Sequence, residues 1–193
     1  MNIPFFYKEV YTQLGTMGIV WSDGNHSLLV ERILLPNEVS GGNHVRGRIR
    51  TLNDNKVILT AKQQVPKAIS VIENILYCCI EGKGTGADLG IFSFTQCSDF
   101  QKAVLFEEYR VPPGWITTYG RIAARIGAPG SARAVGRALA TNPFPLIIPC
   151  HRAVRANGGL GGYRGGVQMK RTLLEREGVR FTEYGRVLMN KVY

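Results

Sequence analysis

One cysteine of this chain stands between a proline and a histidine at the end of an apolar run, Asn142-Pro143-Phe144-Pro145-Leu146-Ile147-Ile148-Pro149-Cys150-His151-Arg152. Pro143, Pro145 and Pro149 each fix φ and remove a backbone donor, so the approach to the cysteine is stiff. Ordinary core packing does not need such a rigid lead-in. A thiol held at one depth in a pocket does. A free thiol has a pKa of about 8.5 and is only slightly ionised at neutral pH, so a nucleophilic Cys150 requires activation by its surroundings.

Several helices must position this segment. Asp99 is placed to cap a helix with apolar positions Phe100, Ala103, Val104 and Phe106, which Val111-Pro112-Pro113-Gly114 stops. Thr118 caps a helix from Tyr119 to Ile126, ended by Gly127 and Pro129, and Ser131 caps another through Ala140. Two short helices across a glycine-containing turn predict a helix-turn-helix. The second helix carries mostly very small side chains, with Arg133 and Arg137 four residues apart on one face. Low bulk suits close approach to a DNA groove, and an arginine there can enter the base stack. Few long polar side chains are available to read bases, so little sequence specificity is expected. A final helix spans Val167 to Glu177 and ends at Gly178, and the partly alternating tail from Val179 to Tyr193 predicts a strand or hairpin.

Upstream, to about residue 90, the pattern is mixed α/β. Ile19–Ser22 and Ser27–Leu35 read as strands joined by Asp23-Gly24-Asn25, residues 37–55 as a loop, and Pro66–Ile80 as a helix by its apolar spacing. Gly82-Lys83-Gly84-Thr85-Gly86 ends that helix. The expected division is an α/β domain over 1–92, a mainly α domain over 93–180, and a tail over 181–193.

Composition bounds the setting. The 193 residues hold no run of 18 apolar residues, so no membrane span is expected. No basic segment followed by an apolar one opens the chain, so no signal peptide is expected. Four cysteines without a C-x-x-C pair fit a reducing, cytoplasmic compartment better than a disulfide scaffold. The net charge is +10, of which residues 1–95 supply +1 and residues 96–193 supply +9. Ten lysines and arginines, and no acid, lie between Glu108 and Glu175. That asymmetry suggests a polyanionic partner.

The ordered set Thr118-Tyr119-Gly120, Ala132-Arg133-Ala134-Val135-Gly136, Asn142-Pro143, Pro149-Cys150-His151-Arg152, Gly162-Tyr163, Gly165-Gly166 and Lys170 to Gly178 resembles the O6-alkylguanine-DNA alkyltransferases, also called methylated-DNA–protein-cysteine methyltransferases. The likeness covers roughly residues 99 to 178. It implies a ribonuclease-H-like α/β domain followed by a winged-helix-like domain with the helix-turn-helix. It implies DNA repair by stoichiometric transfer of an alkyl group from O6-alkylguanine to Cys150, after minor-groove binding and base flipping.

The resemblance also implies residue roles. His151 would activate the thiol through a water, with Glu177 behind it. Asn142 would tie the helix-turn-helix to the cysteine loop. Tyr119 would help rotate the nucleotide out and donate a proton to the guanine ring, and Arg133 would fill the vacated stack. Gly120, Ala132, Ala134, Gly136 and Arg137 would complete the DNA surface. Pro145, Ala153, Gly161, Tyr163 and Arg164 would wall the pocket. Lys170 would lie near it and, seven residues before Glu177 on nearly the same helix face, would help orient that carboxylate. The expected partner is double-stranded DNA carrying O6-alkylguanine, met by a monomer, without a membrane and without a cofactor, because the lesion itself donates the alkyl group.

Two departures stand out. Arg164 replaces a serine found in some members, and His26, His44, Cys78 and Cys79 show no ligand spacing for the zinc some members hold, so no metal is assigned. The alternative reading is a non-catalytic sensor of alkylated DNA. Relatives of that kind replace the cysteine, usually by tryptophan, whereas this chain keeps Cys150.

Overall fold

The structure is a computed structural model that describes residues 5–24, 27–36, 59–60, 64–84 and 86–193. His26, His44 and the loop expected at 37–55 lie outside the described residues. The chain forms two compact units, Met1–Asn74 with Ala87–Thr95 and Ile75–Gly86 with Gln96–Tyr193.

The first unit is built on a four-stranded sheet of order β3-β2-β1-β4. β1 (Phe5–Thr12) and β2 (Gly15–Gly24) are antiparallel and joined by a two-residue turn. The Thr12 hydroxyl accepts from Leu14 N at 3.1 Å and donates to Gly15 O at 2.6 Å, which closes that turn. β3 (Ser27–Leu34) runs antiparallel to β2 with a bulge at Val20/Trp21, and β4 (Leu59–Thr60) runs parallel to β1. The two expected strands are present. β1 adds a third, rich in the aromatic and β-branched residues that favour a pleated surface. Val10, Met17, Ile19, Val20, Trp21, Val30 and Ile33 are fully buried and form the core of this unit.

Helix α1 (Lys67–Ile80) buries Ile69, Ile72, Leu76, Cys79 and Ile80, the stripe its spacing predicts. The contacts divide the chain differently from the expected boundary after residue 92, because the end of α1 belongs with the second unit. Arg176 Nη1 donates to Ile80 O at 3.2 Å. A Cβ on Gly82, whose φ is +78°, would stand 2.4 Å from the Arg176 carbonyl, so this close approach needs a glycine.

The second unit contains α2 (Asp99–Tyr109), β5 (Thr117–Thr118), α3 (Tyr119–Arg125), α4 (Ala132–Ala140), a 3-10 turn (Cys150–Arg152), β6 (Ala153–Val154) and α5 (Val167–Arg176). β5 and β6 pair in parallel. Two caps differ from expectation. Ser98, not Asp99, caps α2: its extended backbone points the hydroxyl at Gln101 N, 3.2 Å away, while Asp99 is solvent-exposed beside Lys102. Ser131 sits at the N-cap of α4, but its hydroxyl donates back to Ala128 O at 2.5 Å. Thr118 caps α3 as expected, accepting from Arg121 N at 3.2 Å.

The apolar face of α2 matches the expected one at Val104 and departs from it at Phe100 and Phe106. Val104 and Leu105 are buried, whereas Phe100 and Phe106 are 36% and 41% exposed. The tail is no separate segment. Val187 joins Ile116, Val154, Leu174 and Val179 in one core cluster, and Val192 packs against it. Phe181 and Val187 form an antiparallel bridge, and Tyr193 N donates to Ile116 O at 2.8 Å. No helix among the described residues is long and apolar enough to cross a membrane.

Candidate active site

The proline-rich segment folds into a tight loop around a buried asparagine. Asn142 Nδ2 donates to Ile148 O and its Oδ1 accepts from Phe144 N, both at 2.9 Å. Ile148 N closes the loop onto Phe144 O at 2.8 Å. Between them Leu146 has φ +73°, the one positive φ on a non-glycine among the described residues. That conformation costs on the order of 1–2 kcal/mol, held here by two flanking buried residues and the asparagine bonds. Pro149 then feeds the 3-10 turn, where Cys150 N donates to Ile148 O at 2.8 Å. Asn142 thus fixes the depth of the cysteine.

Beside the thiol lies a buried cluster. His151, Arg152 and Glu177 have side chains 1%, 4% and 1% exposed. His151 Nε2 is 2.8 Å from Glu177 Oε1. Arg152 clamps the same carboxylate with Nε at 3.1 and 3.0 Å from its two oxygens and Nη2 at 2.8 Å, while Nη1 donates to Val111 O. Burial alone would raise the Glu177 carboxyl, but His151 and Arg152 outweigh it and bring it down to about 2. An ionised carboxylate only accepts, so the Nε2 of His151 carries the proton. Burial lowers the His151 pKa against the pull of Glu177, which keeps the ring neutral. Its Nδ1 is then a lone-pair acceptor, and it bonds to no other protein group. The cluster therefore presents a base whose tautomer is fixed from behind.

In front of the thiol is a pocket of about 400 Å³ lined by Tyr119, Gly136, Leu139, Pro145, Cys150, Arg155, Gly161, Tyr163 and Arg164 among others. Its wall requires glycine at 161: φ is +71°, and a Cβ there would stand 2.6 Å from the Tyr119 hydroxyl oxygen. Tyr163 meets the His151 ring edge-on at 6.4 Å, and Arg164 Nη2 donates to Asn142 O. Burial pushes the Cys150 thiol up. A hydrogen bond with the Asn142 side chain pulls it down, Glu108 pushes it up, and Lys170 and Arg164 pull it down. Burial also raises the Tyr119 hydroxyl, with Glu108 and Cys150 adding to the shift, so the phenol keeps its proton at neutral pH and can donate it.

The structure brings Cys150, Tyr119, Pro145, Gly161, Tyr163, Arg164 and Gly136 to one pocket, with His151, Asn142 and Glu177 beside it. Two expectations change. Ala153 does not wall the pocket: it is fully buried in β6, and its carbonyl accepts from Lys170 Nζ at 2.6 Å. Lys170 is spent on that bond, and Arg152 holds Glu177 instead. Gly120, Arg133, Ala134 and Arg137 are solvent-exposed on α3 and α4, with Ala132 half-buried beside them, so they form a surface outside the pocket. Arg152, Arg155 and Glu108 were not singled out in the sequence. Arg152 follows the histidine directly in the motif. Glu108 falls three and four residues after Leu105 and Val104, on a stripe where a carboxylate is out of place.

Residues 99–179 match the family model described as 6-O-methylguanine DNA methyltransferase, DNA binding domain. The chain is 43% identical over 114 residues to the methylated-DNA–protein-cysteine methyltransferase of Methanothermobacter thermautotrophicus, and 51% identical over 80 residues to that of Mycobacterium bovis. These matches cover 59% and 42% of this chain, and the chain spans 64% and 48% of those relatives' lengths. The crystal structure of Mycobacterium tuberculosis OGT in complex with DNA superposes with a TM-score of 0.66 at 31% identity, covering 89% of this chain and 92% of that one. With that coverage joined to the cysteine loop, the chain belongs to the methylated-DNA–protein-cysteine methyltransferase family.

Proposed function

We propose that this protein repairs DNA by moving an alkyl group from O6-alkylguanine to Cys150, once per molecule. The observation that carries the reading is a buried thiol that opens into a pocket of about 400 Å³ and is followed in the chain by the His151–Arg152 pair that holds Glu177. The exposed arginine-bearing face of α4 supports a DNA partner, and the related Mycobacterium tuberculosis structure is a DNA complex. α3, the turn and α4 act as a helix-turn-helix in a winged-helix-like domain, and the mixed sheet of the first unit is ribonuclease-H-like. Arg133 occupies the stack left by the flipped base, and Tyr119, Gly120, Ala132, Ala134, Gly136 and Arg137 line the DNA path.

In the transfer, His151 takes the thiol proton through a water. The Cys150 sulfur attacks the O6-alkyl carbon, the S–C bond forms and the C–O6 bond breaks. Tyr119 gives a proton to the departing guanine and regains one as His151 releases the thiol proton through solvent, so the net proton moves from thiol to base. The product is an S-alkylcysteine, and no cofactor enters the balance. The test is to mix the protein with a duplex carrying one O6-methylguanine and record intact and peptide masses. The expected result is a gain of about 14 Da confined to Cys150. Binding without a mass gain would make the protein a sensor of alkylated DNA. Cys150→Ala should bind the duplex and gain no methyl group.

A further inference from the structure

Glu108 is fully buried, no side chain hydrogen-bonds to its carboxyl oxygens, and the backbone donor beside them is the Ala153 N–H. It sits on the apolar stripe of α2, and α2 packs against the 3-10 turn that carries Cys150. The charged and titratable groups it faces are Lys170 of α5, Arg152 and Cys150 of the turn, Tyr119 of α3 and Glu107 of its own helix. Glu107 is committed elsewhere, to Arg125 at 2.9 Å and Arg110 at 3.2 Å. Lys170 is equally buried and donates to the Ala153 carbonyl. A carboxylate with no side-chain partner is costly in such a place, and keeping its proton removes the cost. The floor beneath the thiol then holds the positive charge of Lys170 with no adjacent negative charge to cancel it.

We propose that Glu108 is a positioning residue for Cys150: a proton-bearing carboxyl at neutral pH, whose ionisation in alkali cancels the field of Lys170 and opposes formation of the Cys150 thiolate. The proposal rests on Cys150 being the reacting thiol. Burial raises the Glu108 carboxyl to about 8, against Lys170, Arg152 and the nearby Ala153 N–H. Burial lowers Lys170 to about 8, against Cys150 and Glu108. The two groups therefore change charge over the same range, and both changes disfavour the thiolate. Once negative, Glu108 also raises the Tyr119 hydroxyl.

The test reads the rate of Cys150 alkylation by iodoacetamide against pH, by peptide mass, in the wild type, Glu108→Gln and Glu108→Leu. Both variants should shift the half-maximal pH down by about one unit, the scale of one nearby charge. Methyl transfer from duplex O6-methylguanine should show the same shift. A shift with iodoacetamide but no methyl transfer in any protein would sink the repair reading and leave this one standing. Unshifted midpoints with intact transfer would overturn the role of Glu108. If the variants fail to fold, carboxyl NMR of the ¹³C-glutamate-labelled wild type decides. One glutamate should titrate near pH 8. All of them titrating below about pH 6 would overturn the proposal.

Discussion

Two buried glutamates flank the cysteine turn and reach opposite charge states. Glu177 lies at the C-cap of α5, its carboxylate gripped by Arg152 and His151, and its pKa falls to about 2. Glu108 lies on the inner face of α2 without a side-chain hydrogen-bond partner, and its pKa climbs to about 8. Depth does not separate them, since burial pushes both upward. Partners do: a guanidinium fork supplies charge and directed donors together, whereas Lys170 has its ammonium on a backbone carbonyl. One corner thus holds a fixed negative charge that sets the tautomer of His151. The other holds an acid that can change state.

Removing the fork should break the contrast most severely. Arg152→Ala leaves a buried carboxylate facing only a neutral imidazole, and the expected loss in denaturant unfolding is about 3–5 kcal/mol. Arg152→Lys should recover only part of it, because an ammonium cannot bond both oxygens in the same plane. A loss below about 1 kcal/mol would mean that partners do not hold Glu177 ionised.

Function should separate the two acids next. Glu177→Gln removes the charge that stabilises a protonated His151, and the methyl-transfer rate at pH 7 should fall on the order of 100-fold. Glu108→Gln replaces a neutral acid by a neutral amide, so at pH 7 its rate should stay within about ten-fold of wild type. Single-turnover kinetics on an O6-methylguanine duplex measures both. Equal losses would erase the distinction between a fixed charge and a proton store.

The sequence announced the first corner and hid the second. Cys150, His151 and Asn142 are legible because proline spacing and local order express them within eleven residues. Glu177 became legible only through the family resemblance, and the arginine that holds it was overlooked despite its place beside the histidine. The helices of the second unit were readable from caps and glycine stops, with small errors where a neighbouring serine competed, as at Ser98. Nothing in the side-chain pattern of α2 marks Glu108 as buried. Of the expected apolar positions Val104 is buried, but Phe100 and Phe106 are exposed, and tertiary packing adds Leu105 and Glu108 to the buried face. The strand β1 was passed over although its aromatic content favours a sheet. The tail docks on Ile116 through Val187 and Val192 together with backbone hydrogen bonds, and the latter leave little mark in side-chain pattern.

The gentlest test is the pH dependence of stability, where the two corners act with opposite sign. The Glu177 carboxyl drops from 4.5 to about 2 on folding, so its contribution is present above pH 4.5 and is lost as the pH falls towards 2. The Glu108 carboxyl rises from 4.5 to about 8, so the folded state holds the extra proton between those values. Its contribution is intact below pH 4.5 and is lost as the pH rises towards 8. The slope for one such group is about 1.4 kcal/mol per pH unit where only one state is protonated. Denaturant unfolding of wild type and Glu108→Gln from pH 5 to 8 isolates that term, because His151 and Lys170 titrate in both proteins. The variant should gain on the wild type steadily across this range, and Glu177→Gln should show no such gain. Parallel stability curves for wild type and Glu108→Gln would mean that Glu108 is ionised when folded, and the two corners would then be alike.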